Sequence, residues 1–484
     1  MKPHNLAKFT LMKTIRSKKI AISSALAITL SACSFGPDYV RPKLELPVAP
    51  SMSAATAQVT PPSWWQVFQD ANLDKLVDEA LANNNNLLAA AARVTEAATQ
   101  FDIASADGLP SVYAAAGSSR NRNSEKSGNF QANMPLETTT NKASLNVSWE
   151  LDFWGKFRRA TEAARADLLS NEANRDALRL SITSQTAQGY IALVSLDAQL
   201  VATQHGLQRA KQGFEMQKKR FDAGVASEFE YRQREAEYDA ALAQLPPVED
   251  ARARQERALL VLLGRSPKAI LSDKIDRISV IKAPQMIPSG IPSTLIINRP
   301  DVREAEQKLV AANARIGVAR ATYFPSISLT GSFGGESASL ADLFSGPART
   351  WRFAGDLTQA LWGAGRLMSQ TAAAESRNTQ AEQNYRATVA NAFREVADAL
   401  GTYTRSRAVA DAETRRVTSL NKTWELAKLR FEHGVSSQLD VIDTERGLLL
   451  AEFDRIAADR DLKLAIVDFY RALGGTSGGD IMGQ

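Results

Sequence analysis

Asp440 and Asp443 stand three residues apart in the stretch 430–443, R-F-E-H-G-V-S-S-Q-L-D-V-I-D. On a helix that spacing puts both carboxylates on one face. Two acids at a helix start have an ordinary use, because they oppose the positive end of the helix dipole. Ser437 followed by Asp440 reads as a near miss for a capping box, with Asp where Glu or Gln is usual. Gly434 suits the left-handed position that closes the preceding helix, with Val435 after it. The same design occurs 210 residues earlier, at 220–233, R-F-D-A-G-V-A-S-E-F-E-Y-R-Q. There Ser227 and Glu230 make the full box, Gly224 and Val225 take the turn, and Glu230 and Gln233 stand where the two aspartates do. Other chemistry is sparse. The three histidines, His4, His205 and His433, are too few and too scattered for a triad or a multi-His metal site. His433 reads as a solvated residue at a helix C-terminus. Gly363-Ala364-Gly365 lacks the strand–helix unit of a nucleotide fingerprint. No enzyme, no catalytic residue, no metal and no cofactor is expected.

Cys33 is the only cysteine, which excludes disulfides within the chain. It ends Leu30-Ser31-Ala32-Cys33, after a basic segment and the apolar run 20–30. That run has the length of a signal-peptide core and is too short to span a bilayer. The four residues resemble a bacterial lipobox, cleaved before a Cys that takes an S-diacylglycerol and an N-acyl chain. Ser34, rather than Asp, follows, which favours the outer membrane. The formal net charge of +5 is concentrated in residues 1–32, which hold six basic residues and no acid; without them the net charge is −1. Nucleic-acid binding then has no support.

These residues sit within a tandem repeat. Leu73 to Ala106 reads as one helix. Two strands follow at 110–119 and 143–153, separated by a polar loop. In the second strand Leu145, Val147, Trp149, Leu151 and Phe153 alternate with Ser144, Asn146, Ser148, Glu150 and Asp152. A proline-free helix runs from 157 to 222, about 100 Å long, and after the turn a return helix spans 227–264 with a break at Pro246-Pro247. In the second copy the strands lie at 325–334 and 350–361, interrupted at Gly355. The long helix is 366–432 and the return helix 437–474. Pro110 matches Pro325, Trp154 matches Trp362, and Gly264 matches Gly474. The first long helix carries two seams, through Leu180, Ala187, Ile191 and Val194 and through Ile182, Gly189, Leu193 and Leu196. Two seams suit a helix with a neighbour on each side; a plain four-helix bundle would bury one broader stripe. The expected organisation is a signal peptide (1–32), a lipidated Pro-rich tether (33–71), a first repeat (72–264), a connector with little helix (265–297), a second repeat (298–474) and a tail (475–484).

Four strands with an apolar face are long enough to cross a bilayer when tilted but too few to close a barrel. An open edge in lipid leaves backbone groups unsatisfied, so the strands must be shared: a dimer supplies eight, a trimer twelve.

The stretches F-G-P-D-Y-V-R-P after Cys33, W-W-x-x-F at 64–68, R-P-D-V-R-E-A-E from Arg299, A-N-A-R-I-G-V-A-R-A-T-Y-F-P-S-I-S-L-T-G from Ala312, and the tips resemble the TolC-like outer-membrane factor family. The likeness is to its lipoprotein (OprM/NodT-like) branch and covers the whole mature chain. It implies a mainly α fold with a membrane β-barrel: a homotrimer whose twelve-stranded barrel continues into a twelve-helix periplasmic tunnel. It implies a passive exit duct of a tripartite efflux pump, served by a periplasmic adaptor (membrane fusion protein) and an inner-membrane RND-type transporter, in a Gram-negative outer membrane. Exported drugs or other small toxic molecules are the expected cargo; type I protein secretion or a non-conducting envelope lipoprotein are the alternatives. Copper or silver export gains no backing from eight Met and three His. The resemblance also assigns Asp440 and Asp443 to a carboxylate constriction at the periplasmic entrance. At ~6 Å each pair there repels by about 0.7 kcal/mol in water and by more in a narrow pore. Gly224, Val225, Ser227, Gly434, Val435 and Ser437 become adaptor-docking tips. A family basic residue is replaced by Ser436, so bonding assigned to it does not carry over.

Overall fold

A computed structural model describes residues 35–45, 63–126, 135–284 and 297–475. Cys33 and the signal segment lie outside the described residues, as do 285–296 of the connector and 476–484 of the tail. The elements in order are a short 3-10 turn (Trp64–Phe68), α1 (Ala71–Asn83), α2 (Asn85–Ala106), β1 (Ser111–Arg122), β2 (Glu137–Glu150), α3 (Lys156–Asp222), α4 (Glu228–Leu262), α5 (Pro267–Ser272), α6 (Pro300–Ala321), β3 (Ser326–Ser337), β4 (Arg349–Thr358), α7 (Ala364–Glu432) and α8 (Gln438–Ala472). They divide into two compact units, one of residues 1–43, 95–170 and 305–384, the other of 44–94, 171–304 and 385–484. Each unit therefore draws on both copies of the repeat.

The first unit holds one antiparallel sheet in the order β1-β2-β3-β4. Its register aligns Val112, Val147, Gly331 and Phe353 in one row, and Ala114, Leu145, Phe333 and Trp351 in another. Partners across a ladder share a face, so one face is apolar. The opposite face carries rows such as Tyr113, Asn146, Ser332 and Arg352. The apolar face is open: Phe353 is 77% and Trp351 69% exposed. The strands run further than the alternation indicated. β1 continues to Arg122 and β2 begins at Glu137, taking residues from the expected polar loop. Their polar side chains pair across the ladder instead, as Arg120 does with Glu137 at 2.5 Å. Gly355 does not interrupt β4, because it sits in register opposite Leu329.

In the second unit the seams of the first long helix are buried in part, with Leu180, Gly189 and Leu196 half-buried, and the second long helix buries a similar line. Ile182, Ala187, Ile191, Leu193 and Val194 of α3 are closed from solvent, as are Tyr385, Val389, Ala392 and Val396 of α7. α3 has neighbours on two sides. A Cβ on Gly189 would lie 3.3 Å from Leu259 of α4, and one on Gly206 3.1 Å from Leu449 of α8. Two other expectations fail. The single helix 73–106 is broken at Asn84, whose backbone is extended and whose side-chain Oδ1 caps α2 by accepting from Asn86 N and Leu87 N at 3.0 and 3.2 Å. Its amide also donates to Leu262 O at 2.7 Å, closing α4. An Asn side chain thus outcompetes the helix ladder. Conversely, α4 runs unbroken through Pro246 and Pro247. Both prolines are exposed, as are residues 242 and 243 four places earlier, so water reaches the carbonyls that lose their donors.

α8 closes on a buried arginine of the R-P-D motif. Arg299 donates to Ala472 O at 2.9 Å and pairs with Asp301 and Glu395 at 2.8 and 2.7 Å. Tyr190, fully buried, donates to Asp70 at 2.6 Å, and burial followed by that carboxylate pushes its hydroxyl pKa far up.

Candidate functional site

The two tips are built alike down to their bonds. Gly224 and Gly434 both have φ of 74°. Gly224 N donates to Phe221 O and Val225 N to Arg220 O, at 2.8 and 2.9 Å; Gly434 N and Val435 N do the same to Phe431 O and Arg430 O, at 3.0 and 2.9 Å. This pair of bonds is the Schellman closure, and a side chain on either glycine would be strained in the left-handed region. Both following helices open on complete capping boxes. In the first, Ser227 N donates to Glu230 Oε2 at 2.9 Å. In the second, Ser437 N donates to Asp440 Oδ2 at 3.0 Å and Asp440 N to Ser437 Oγ at 3.3 Å. The shorter Asp still reaches the cap, so the expected near miss is a full box.

That bond separates the two aspartates. Asp440 commits a carboxylate oxygen to the cap, whereas Asp443, one turn on, is exposed and has no hydrogen bond or ion pair among the described residues. Around them Val225, Phe229, Val435 and Leu439 present apolar side chains to solvent, Phe229 at 76% and Val225 at 66% exposure. The tips touch each other: Gln438, buried on α8, donates to Glu230 O at 3.3 Å, and the Arg220 guanidinium lies 5.6 Å from the Phe431 ring.

Behind the tips is an ion cluster that the sequence pattern did not indicate. Arg234 of α4, 4% exposed, pairs with Glu445 of α8 at 3.3 Å; Arg209 of α3 pairs with Glu452 at 3.3 Å and reaches Glu445 at 4.0 Å. Arg446 binds Glu237 beside them. Burial raises the Glu445 pKa above its ordinary range, the two arginines opposing it in part. Gly213 makes the space, since a Cβ there would lie 3.2 Å from the Arg234 guanidinium carbon. In the other copy Thr444 stands at the place of Arg234. That one-sided arginine, facing a glycine on α3, was the available signal.

In the first unit the tether is pinned two residues beyond Cys33. Phe35 packs on Phe324 with ring centroids 4.2 Å apart, and Gly36 abuts Gly317 so closely that a Cβ would lie 2.6 Å from its Cα. Asp38 pairs with buried Arg159 at 2.6 Å, and Arg41 with Glu306 at 2.6 Å. Trp154 stacks on Phe324, centroids 4.7 Å apart, and donates to Pro325 O at 2.7 Å. Among the described residues their counterparts in the repeat are unpartnered: Trp362 is 97% and Leu109 65% exposed. No described helix is long and apolar enough to cross a membrane.

A family model described as outer membrane efflux protein matches residues 76–265 and 291–475. The outer membrane protein OprJ of Pseudomonas aeruginosa is 35% identical over 95% of this chain and 97% of its own length. The cation efflux system protein CusC of Escherichia coli K12 is 31% identical over 93% of this chain and 98% of its own. Among solved structures, the CmeC outer membrane channel of Campylobacter jejuni superposes with a TM-score of 0.88 at 29% identity, covering 93% of this chain and 96% of that one. The open state of the MtrE channel of Neisseria gonorrhoeae does so at 0.81, also at 29% identity, over 91% and 98%. Repeat, sheet, tips and these likenesses agree: the chain belongs to the outer membrane efflux protein family.

Proposed function

We propose that the chain forms one third of a trimeric exit duct through which a tripartite pump expels drugs or other small toxic molecules across the outer membrane. The observation carrying edge-to-edge assembly is the pair Trp362 and Leu109. Inside the sheet their equivalents, Trp154 and Phe324, seal the β2–β3 join. At the two sheet edges the same residues lie bare, on β4's side and β1's side respectively. Joining the β4 edge of one subunit to the β1 edge of the next would cover both and leave no open strand in lipid. Three copies make twelve strands, continued by the long helices as a twelve-helix tunnel. The lipid on Cys33 anchors the tether, whose pinned segment 35–41 begins two residues later.

At the tips, Asp443 supplies the charge of the constriction and Asp440 supplies both charge and cap. The exposed Val225, Phe229, Val435 and Leu439 offer apolar contact to a periplasmic adaptor, which joins the duct to an RND-type transporter in the inner membrane. Energy comes from that transporter, and the duct itself contains no catalytic site. Deleting the gene makes the cell hypersensitive to the exported compounds, and the intact gene restores resistance. A deletion strain that keeps its susceptibility profile and accumulates no compound sinks the efflux reading. A panel including monovalent metal cations decides cargo class, since CusC is named for cation efflux and a toluene efflux pump protein of Pseudomonas putida is equally similar at 31%.

A further inference from the structure

The apolar face of the sheet ends in a cation. Arg349 shares its row with Ala116, Ala143 and Gly335, two residues along β4 from Trp351, and so belongs to the apolar face. Arg352 belongs to the polar one, beside Ser332 and Asn146. Arg349 is exposed and makes no hydrogen bond or ion pair among the described residues, while nearby Arg120 and Lys142 pair with Glu137 and Glu336. Next to it the segment joining β3 to β4 folds back onto the sheet. Leu343 is buried, and a Cβ on Gly335 would lie 2.2 Å from its carbonyl oxygen, so only glycine lets the segment sit there. Phe344 projects beside it, 87% exposed.

The result is a groove of about 550 Å³ walled by Leu145, Phe333, Leu343 and Phe344, with Arg349 at its rim. It continues past Leu145 and Phe333 into a second of about 290 Å³, lined by Val147, Trp149, Leu329 and Phe353. From the row of Arg349 to that of Trp149 is about 20 Å along the strand at ~3.4 Å per residue, which at a tilt of ~40° is about 15 Å of depth, one leaflet of a ~30 Å hydrocarbon core. An arginine costs ~2–4 kcal/mol at the middle of a barrel's lipid face but ~0–1 near its ends. A planar guanidinium with free donors matches a phosphate.

We propose that this groove binds a phosphorylated, acylated glycolipid of the surface leaflet, with one acyl chain along the apolar face and its headgroup phosphate on Arg349. The proposal rests on the reading of this face as membrane-facing. Charge complementarity and the leaflet-length groove together select a lipid over a protein partner.

The test uses the full-length trimer, purified, delipidated and titrated with diphosphorylated lipid A, with bound lipid counted by native mass spectrometry. Wild type retains one lipid per chain. Arg349→Ala loses affinity by about tenfold or more, the scale of one charge-assisted hydrogen bond, and Arg352→Ala on the polar face keeps it. Dephosphorylated lipid A binds wild type as weakly as the intact lipid binds R349A. Equal retention by R349A and R352A overturns the site, and complete competition by inorganic phosphate overturns the lipid in favour of an anion. Liposome flotation runs alongside: R349A that still inserts but binds no lipid supports the site, whereas wild type that never inserts sinks the membrane-facing reading itself.

Discussion

If subunits join edge to edge as β2 joins β3, the register between them can be worked out. The β2–β3 ladder pairs Trp149 with Leu329 and Leu145 with Phe333. In the repeat Trp154 corresponds to Trp362 and Pro110 to Pro325, so Trp149 maps to Leu357 and Leu329 to Ala114. Leu357 of one subunit should therefore oppose Ala114 of the next. Directly opposed residues in an antiparallel pair have Cα atoms about 4.5–5.5 Å apart, inside the ~4.4–6.8 Å window for a disulfide. The diagonal positions Val112 and Ala116 are about 7–8 Å away, at or beyond the limit. With Cys33 the only native thiol, the double variant Leu357→Cys with Ala114→Cys should run as a covalent trimer in non-reducing gels, and as a monomer once reduced. Leu357→Cys with Val112→Cys or with Ala116→Cys should stay monomeric. A covalent trimer from a diagonal pair, with none from Leu357 and Ala114, refutes the carried-over register. Oxidised samples with no covalent species in any combination refute the shared sheet. The bond at Trp154 makes this register more than a formal mapping: the same turn should place the Trp362 indole on the neighbouring Pro110 carbonyl.

Three further outcomes follow from the local geometry. Asp443→Asn should lower cation selectivity in planar bilayers without changing melting temperature, while Asp440→Ala should also cost about 1 kcal/mol of helix stability by removing the Ser437 N–Asp440 half of the capping box; equal melting losses for both would contradict the division of roles. Glu445 has a raised pKa when folded, so the folded state binds its proton more readily than the unfolded one. Stability should rise as pH falls from neutral through that raised value, level off below the ordinary 4.5, and lose this component in Glu445→Gln, followed as thermal melting between pH 8 and pH 4. Gly317→Val should drive a side chain into Arg159 and the Phe35 carbonyl, already within 2.8 and 2.9 Å of a Cβ. Release of the tether at an overpacking cost of about 1–3 kcal/mol should appear as faster proteolysis near residues 35–45, and unchanged cleavage there would refute the pinning.

Much of this molecule is legible from period and punctuation. Alternation from Leu145 to Trp149 sets an amphipathic strand wherever it folds, because side chains on a strand change face at every residue. The Gly434–Val435 turn and its copy at Gly224–Val225 are equally local, since a left-handed residue closing a helix strongly favours glycine. So are the α3 seam positions Ile182, Ala187, Ile191 and Leu193 and the tandem repeat itself. Tertiary structure decided what depends on residues distant in sequence. The break at Asn84 needs the Leu262 carbonyl that its amide closes, and the Arg234–Glu445 cluster needs three helices and the gap at Gly213. Arg349 acquires its place on the apolar face only through the pairing of β4 with β3. Above all, one copy's Trp154 is sealed and the other's Trp362 left bare, a difference two similar sequences do not express. It arises because an inner strand finds its neighbour within the chain, while an edge strand must find one outside it.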